Sequence, residues 1–283
     1  MIRLKEEQLD LGWTYDDLQM RVAHQKVANQ NQELIKANIF AGRIQQSILP
    51  KKYHFDRLEL DAFLYYQPKN YVSGDFYWLA QKDGCIYVAL GDCTGHGPAG
   101  GLLSVLGISL LNHIVLNKGL TSLRDIITEM DAKLITTFPS SNSKPTNNDW
   151  MDLAIVKIDP QQHLVHYVCA NSKMVILNGN DTVICQGVKY PVGGWQIEPT
   201  RDFHENVLSY NKGDLIYLFS DGFKDQIGSR DNKKFGSPCF YKILQSLSEL
   251  HMYQQEQVLD DVFRKWKGLN EQTDDVAVVG LKL

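Results

Sequence analysis

The chain has 283 residues, 43% of them hydrophobic and 22% charged, which is ordinary for a soluble globular protein of one or two domains. A formal net charge of −4 gives no basic surface for nucleic acid, and the apolar runs are shorter than a membrane-spanning helix requires. Five cysteines without a C-x-x-C pair argue against a disulfide framework and a zinc site, and they favour a reducing, cytoplasmic location.

Residues 1–50 are predicted to form a helical arm. They show no strand signal, and the first proline, Pro50, is expected to end the helix. Apolar or small residues recur every seven positions over about four heptads, the shortest run that argues for a coiled coil. The positions are Met20, Val27, Leu34, Ala41 and Ile48, with Ala23, Gln30, Ala37 and Ile44 at the second core position. Alanine and glutamine weaken such a core, so dimerisation through the arm and packing of the helix on its own domain both stay open.

Residues 51–283 are predicted to form one α/β domain. Strand patterns cover residues 58–64, 71–79, 86–90, 151–158, 163–170, 174–177, 207–210, 215–219 and 276–281. Helical spacing covers residues 102–111, 123–138, 239–250 and 254–266, and residues 139–148 have the composition of a polar loop. No internal repeat or further change of composition divides this part of the chain.

Acidic residues stand at the ends of several apolar strands, usually beside a glycine. Asp92 follows the most apolar strand, and the same arrangement recurs at Asp75, Asp221 and the pair Asp274 and Asp275. A carboxylate at the mouth of a core strand is costly to bury, and a metal ion or a strong hydrogen-bond network compensates for it. Because strand ends in one domain share an edge, these carboxylates are expected to converge. Ligands that are all oxygen select magnesium or manganese over zinc.

These patterns also allow two other interpretations, ordinary turns and a dinucleotide-binding loop. Asp beside Gly is also ordinary turn chemistry, which is the prediction for Asp83 and Asp214, so the residues alone leave a metal site and simple turns both open. Residues 95–100 also match G-x-G-x-x-G between a strand and a helix, as in an NAD-dependent oxidoreductase. No second strand with a terminal acidic residue follows about 20 residues later, however, so the fingerprint is weak.

Four segments together resemble the bacterial SpoIIE/RsbU-type serine phosphatases of the metal-dependent PP2C-like (PPM) superfamily. They are Val72–Trp78, Gly91–Gly97, Phe219–Gly222 and Thr273–Val276, with Ile44–Pro50 matching a segment that commonly precedes the domain. The resemblance covers about residues 44–283, with the segments in the family's order. It implies an α+β fold, an α-β-β-α sandwich of two antiparallel sheets flanked by helices, behind the N-terminal helical arm.

The resemblance also implies two Mn²⁺ or Mg²⁺ ions at one end of the sandwich. By analogy Asp92 would bridge both ions, and Asp92 and Asp75 would be the catalytic residues. Asp75 and the backbone carbonyl of Cys93 would complete one metal site. Asp221 and Asp274 would complete the other.

Three further residues are expected beside these ligands. Asp275 is the alternative to Asp274 if the register differs by one residue. Gly74 precedes a ligand directly, and His96 is expected to position the loop or a water molecule. Eukaryotic relatives carry a candidate general acid where this chain has Thr94, so that role is not transferred to His96.

The activity implied by the resemblance is hydrolysis of phosphoserine or phosphothreonine on a regulatory partner protein by a metal-activated water. A STAS-type anti-sigma-factor antagonist is the implied substrate, and the arm would dimerise the enzyme or connect it to an upstream sensor. The alternative from another class is a catalytically silent phosphoprotein-binding scaffold on a coiled-coil stalk. Retention of all the proposed metal-binding carboxylates argues against that scaffold.

Overall fold

The computed structural model describes residues 15–95, 97–137, 149–179, 181–195, 197–198 and 200–283. Within these ranges the helices are α1 (Tyr15–Ile48), α2 (Lys52–Asp56), α3 (Pro98–Leu111, continued by a π-helical turn at Asn112–Asn117), α4 (Leu123–Thr137), α5 (Gly222–Asp225), α6 (Ser237–Ser246) and α7 (Met252–Lys267). The strands are β1 (Asp61–Gln67), β2 (Asp75–Lys82), β3 (Cys85–Cys93), β4 (Trp150–Asp159), β5 (Leu164–Ala170), β6 (Lys173–Asn178), β7 (Asp181–Gln186), β8 (Val192–Gly193), β9 (Asn206–Ser209), β10 (Leu215–Phe219) and β11 (Val276–Lys282). Residues 1–14 of the predicted arm and residues 138–148 lie outside the described part.

The described strands form two antiparallel sheets, as predicted. One sheet has the order β1-β11-β10-β6-β7, and the other has the order β2-β3-β4-β5-β9 with β8 beside β4. Fully buried side chains of both sheets, such as Val88 and Leu218, belong to one core between them. Helices α6 and α7 cover the outer face of the first sheet, where Phe63 and Tyr217 pack against Phe240 and Phe263. The α-β-β-α sandwich is therefore confirmed, and its antiparallel sheets exclude the parallel dinucleotide-binding fold.

The helix that follows β3 is longer than the sequence pattern indicates. With its π-helical turn it covers Pro98–Asn117, 20 residues with a mean hydropathy of 1.8, the only span in the described residues long and apolar enough to cross a membrane. Half of it is buried inside the structure, and Leu111, Ile114 and Val115 are fully buried. The expectation that every apolar run is too short is wrong for this helix. Its composition follows from its place in the core, where it packs on β2 and β3.

Strand β7 is the main element that the sequence patterns do not predict. It pairs only with β6 in the described sheet, at the outer edge. Val183 and Ile184 are 42% and 44% exposed, so the strand lacks the alternation of buried and exposed residues that identifies a strand from sequence.

Within the described residues, the N-terminal helix packs on the sandwich near its C-terminal end. It ends at Ile48, as Pro50 predicts, but residues 19–37 are exposed along their whole length. The heptad residues Met20, Val27 and Leu34 are 57%, 54% and 62% exposed. Packing of this stretch on its own domain is therefore wrong. A coiled coil with another helix stays a prediction.

Gln45 attaches the end of this helix to the domain. Its side-chain Nε2 donates to the carbonyl of Ser73 at 2.6 Å and to Oγ of Ser104 at 2.7 Å. Its Oε1 accepts the backbone N–H of Ser73 at 3.0 Å. All three residues are buried, so these bonds replace hydration that is absent there.

We expect Gln45→Ala to lower the free energy of unfolding by about 2 to 3 kcal/mol, because the polar groups of Ser73 and Ser104 lose their partner in a buried place. Chemical denaturation followed by circular dichroism measures the change. Gln46→Ala is the matched control, since Gln46 is exposed one position further along the same helix. Equal effects of the two substitutions would contradict the attachment described here.

Candidate metal centre

The first two predicted ligands face each other across a strand pair. β2 begins at Asp75, and β3 ends with Asp92 and Cys93. The antiparallel register places Asp75 directly opposite Asp92. Residues paired in this way project from the same face of the sheet and lie about 5 Å apart, so the two carboxylates share one surface.

The other sheet contributes two further carboxylates at the same end of the sandwich. β10 ends two residues before Asp221, and β11 begins two residues after Asp274. The hydroxyl of Ser220 donates to Oδ2 of Asp75 at 2.5 Å and accepts the backbone N–H of Ala277 at 3.0 Å. This hydroxyl therefore joins the two sheets at the edge where the four predicted carboxylates lie.

The neighbouring residues Asp274 and Asp275 have different surroundings. Oδ1 of Asp275 accepts the N–H of Lys69 at 2.7 Å, and its Oδ2 accepts the N–H of Gly74 at 2.8 Å. Asp275 is buried, whereas Asp274 is exposed at the rim. Both oxygens of Asp275 thus hold the loop between β1 and β2. Asp274 keeps a solvent-facing side and is the better placed of the two to meet an ion.

Gly74 lets two backbone carbonyls approach the start of β2. A Cβ atom at this position would lie 3.0 Å from the carbonyl oxygen of Cys93 and 2.8 Å from that of Gly95. The N–H of Cys93 also donates to the carbonyl of Gly74 at 3.3 Å. Any larger residue would push the loop after β3 away from Asp75, so the glycine fixes the Cys93 carbonyl beside this carboxylate.

The loop after β3 is clamped to the start of β4. The N–H of Thr94 donates to the carbonyl of Trp150 at 2.9 Å, and its Oγ1 accepts the N–H of Trp150 at 3.1 Å. Thr94 therefore has a structural role. His96 lies outside the described residues, and its predicted positioning role stays a prediction.

A further carboxylate, Asp152, lies in the same cluster and is not assigned from the sequence. The register between β3 and β4 pairs it with Asp92. The side-chain amide of Asn171 donates to both of its carboxylate oxygens, at 2.9 and 3.0 Å. The sequence signal that could have identified Asp152 is its position as an acidic residue near the start of a very apolar strand. No glycine stands beside it, so it does not share the pattern of Asp75, Asp92 and Asp221.

Burial raises the pKa values of these carboxyl groups. The pKa of Asp92 is raised to about 8, first by burial and then by the charges of Asp221 and Asp152. Burial also raises the pKa of Asp152 to about 6. The pKa of Asp75 is raised well above its usual range by burial and by Asp92. The cluster therefore resists full ionisation unless positive charge is supplied.

The donor set fits a hard divalent cation. Carboxylate and carbonyl oxygens are the ligands of Mg²⁺ and Mn²⁺, and crowded buried carboxylates are stabilised in their charged form by such an ion. In the described part of the chain, no group of three or more histidine, cysteine, aspartate or glutamate side chains is already arranged to hold a metal ion. The chemistry of the donors, and not a ready-made ligand geometry, is therefore what favours a divalent cation at this edge.

Comparisons with solved structures agree with this architecture. The SiaA-PP2C domain of Pseudomonas aeruginosa superposes with a TM-score of 0.78 at 23% identity, covering 92% of this chain and 98% of that one. RsbX in complex with magnesium gives a TM-score of 0.56 at 14% identity, covering 79% and 96%. The RsbU and RsbW domains of a Mycobacterium tuberculosis protein give 0.63 at 14% identity, covering 79% of this chain and 59% of that one. Each likeness lies below 25% identity and establishes the fold. No curated protein matches the sequence.

The sandwich of two antiparallel sheets flanked by helices is the fold of the PP2C domains to which the chain is similar. The model of the family Stage II sporulation protein E (SpoIIE) matches residues 82–283. The chain therefore belongs to the SpoIIE family, as the sequence segments around Asp92 and Asp221 indicate.

The raised carboxyl pKa values predict how stability depends on pH when divalent cations are removed with EDTA. The pKa of Asp92 is about 8 in the folded chain and about 4 in an unfolded one, so folding favours its protonated form. Its contribution to stability is complete below about pH 4 and is lost as the pH rises through about 8. We expect the Tm to fall between about pH 4 and pH 8, with Asp92→Asn about 3 °C or more above the wild type at the upper end.

Differential scanning fluorimetry across this pH range measures the effect. Asp83→Asn makes the same chemical change in the exposed hairpin turn between β2 and β3 and should keep the wild-type fall. A Tm of the wild type that rises over the same interval would show that the carboxylates near Asp92 are not coupled as described.

Proposed function

We propose that the protein is a metal-dependent phosphatase acting on phosphoserine or phosphothreonine of a protein. The proposed metal ligands are Asp75, Asp92, the backbone carbonyl of Cys93, Asp221 and Asp274. The observation that carries the proposal is the convergence of carboxylates from both sheets on one edge, joined by the hydroxyl of Ser220. Crowded buried carboxylates are unfavourable in a chain that only binds other proteins, so this cluster favours catalysis over the scaffold function.

Different residues of the proposed site have different roles in the reaction. Two Mn²⁺ or Mg²⁺ ions, when bound, would activate a water molecule and neutralise charge on the phosphoryl oxygens. Asp92 is paired with Asp75 on one neighbouring strand and with Asp152 on the other, which supports its proposed role as a ligand common to both metal ions. Ser220 keeps Asp75 oriented, and exposed Asp274 lies at the rim, where a phosphorylated segment enters.

The proposed substrate is a phosphorylated regulatory protein, with a STAS-type anti-sigma-factor antagonist as the candidate. One solved structure of the same fold combines RsbU with RsbW domains, which supports a place in such a regulatory pathway. RsbX, another neighbour, is described in complex with magnesium, which supports a divalent cation as cofactor.

The arm, residues 1–50, is proposed as a separate unit that dimerises the enzyme or receives a signal, with residues 51–283 as the catalytic domain. Its exposed heptad residues Met20, Val27 and Leu34 support pairing with a second helix. Gln45 supports transmission, because it binds Ser73 two residues before the ligand Asp75.

Hydrolysis of p-nitrophenyl phosphate and of a phosphoserine peptide, measured against titrated Mn²⁺, tests the activity. We expect metal-dependent turnover that falls by more than about a hundredfold in Asp92→Asn and in Asp221→Asn, because each change removes a metal ligand. Asp83→Asn is the control and should keep full activity, since Asp83 lies in a turn with a φ of 50° that asparagine also adopts. A folded wild type with neither turnover nor Mn²⁺ binding would support the scaffold instead.

The assignment of Asp274 as the ligand has its own test. We expect Asp274→Asn to weaken Mn²⁺ binding, measured by calorimetry, with little change in Tm, because the residue is exposed. Asp275→Asn should lower the free energy of unfolding by about 1 to 3 kcal/mol, because an amide cannot accept both backbone N–H groups that its carboxylate accepts. The reverse pattern would make Asp275 the ligand.

A further inference from the structure

A small pocket lies between the segment that follows α5 and helix α7. It has a volume of about 260 Å³ and is lined by Arg230, Phe235, Val262, Lys265 and Trp266. The rings of Phe235 and Trp266 meet edge to face with their centroids 5.2 Å apart. The pocket therefore has an aromatic floor and a cationic rim, and we call it the aromatic-basic pocket.

The cations at its rim are available for a ligand. Within the described residues, neither Arg230 nor Lys265 forms an ion pair, and both are exposed. Two neighbouring cations are neutralised, since Lys234 pairs with Asp225 at 2.9 Å and Arg264 pairs with a carboxylate on its own helix. On a chain with a net charge of −4, two unpaired cations that line one pocket with two aromatic rings form a local site for an anion.

The aromatic-basic pocket is attached to the segment that carries Asp274. The indole N–H of Trp266 donates to the backbone carbonyl of Gln226 at 2.9 Å. The side-chain Oε1 of buried Gln226 accepts the N–H of Thr273 at 2.9 Å, and its Nε2 donates to the carbonyl of Glu271 at 3.1 Å. One buried residue thus connects the floor of the pocket to the residue directly before Asp274.

Close packing fixes the wall of the pocket. A Cβ atom on Gly228 would lie 2.7 Å from the indole ring of Trp266, so only glycine permits this approach. The N–H of Ser229 donates to the carbonyl of Trp266 at 3.2 Å, and Ile227 bridges to Lys234. The wall is therefore a structured hairpin, and the pocket is preformed.

We infer that this pocket docks an acidic segment of the phosphoprotein substrate. A carboxylate of that segment lies between Arg230 and Lys265, and an adjacent apolar side chain packs on Trp266 and Phe235. A volume of about 260 Å³ admits one or two side chains, which fits a short peptide and not a lipid surface. The inference rests on the proposed function, because the docked segment belongs to the same phosphoprotein whose phosphorylated residue is hydrolysed at the proposed metal centre.

Two phosphoserine peptides that differ only in charge test the docking. One carries a Glu-Glu-Phe segment beside the phosphoserine, and the other carries Gln-Gln-Phe. We expect the wild type to hydrolyse the acidic peptide with a kcat/KM about fivefold higher, as two exposed ion pairs allow. Expressed relative to the kcat/KM for p-nitrophenyl phosphate, this preference should disappear in Lys265→Glu and in Arg230→Glu.

Lys212→Glu is the matched control, because Lys212 is exposed before β10, at the opposite end of the strand from Asp221. It changes the net charge equally and should keep the fivefold preference. Loss of the preference in Lys212→Glu as well would show that only overall charge matters and would overturn the docking site. The same conclusion follows if Lys265→Glu keeps the preference, or if it changes only the oligomeric state in analytical ultracentrifugation.

A binding measurement separates this inference from the proposed activity. Fluorescence anisotropy of a labelled Glu-Glu-Phe peptide without phosphate, in EDTA, reports docking when no catalysis occurs. Binding that is about fivefold weaker in Lys265→Glu supports the pocket even if p-nitrophenyl phosphate is not hydrolysed. Equal binding of the acidic and neutral peptides would overturn the pocket even in an active phosphatase.

Discussion

The hydrogen bond from Ser220 to Asp75 joins the two sheets at the edge where their acidic strand ends meet. Each sheet brings carboxylates to this edge, so closing the sandwich concentrates like charges in a partly buried place, which raises the pKa values of Asp75 and Asp92. The hydroxyl relieves part of this cost because it donates to one carboxylate and also accepts a backbone N–H of β11. Core packing elsewhere must offset the remaining cost, and a cation at this edge, as proposed, would offset it directly.

Two buried glutamines connect this edge to the outside of the sandwich. Gln45 of the N-terminal helix holds Ser73, just before Asp75, and Gln226 of the hairpin after α5 holds Thr273, just before Asp274. The two contacts reach opposite sheets, and each acts on backbone next to a carboxylate. The edge is therefore positioned from two sides by elements that do not belong to either sheet.

The sequence predicts the carboxylates of this edge because each stands at the end of an apolar strand beside a residue with turn chemistry. Asp75, Asp92 and Asp221 follow that rule, and the antiparallel register brings the first two together. This rule does not predict Asp152 or the role of Ser220. Asp152 joins the cluster through the register between two strands, and Ser220 acts through a contact between the two sheets. Positions in the sequence alone cannot specify such pairs. The edge strand β7 is also not predicted from the sequence, because most of its residues are exposed and show no alternation of buried and exposed positions.

The order of segments along the chain matters for the protein while it is being synthesised. Helix Pro98–Asn117 is as long and apolar as a membrane anchor, and it leaves the ribosome before any strand from β4 onward. The hairpin of β2 and β3, on which it packs, has been made by then. The strands on which this helix packs in the native structure are therefore already synthesised when the helix itself emerges, before most of the remaining sheet exists.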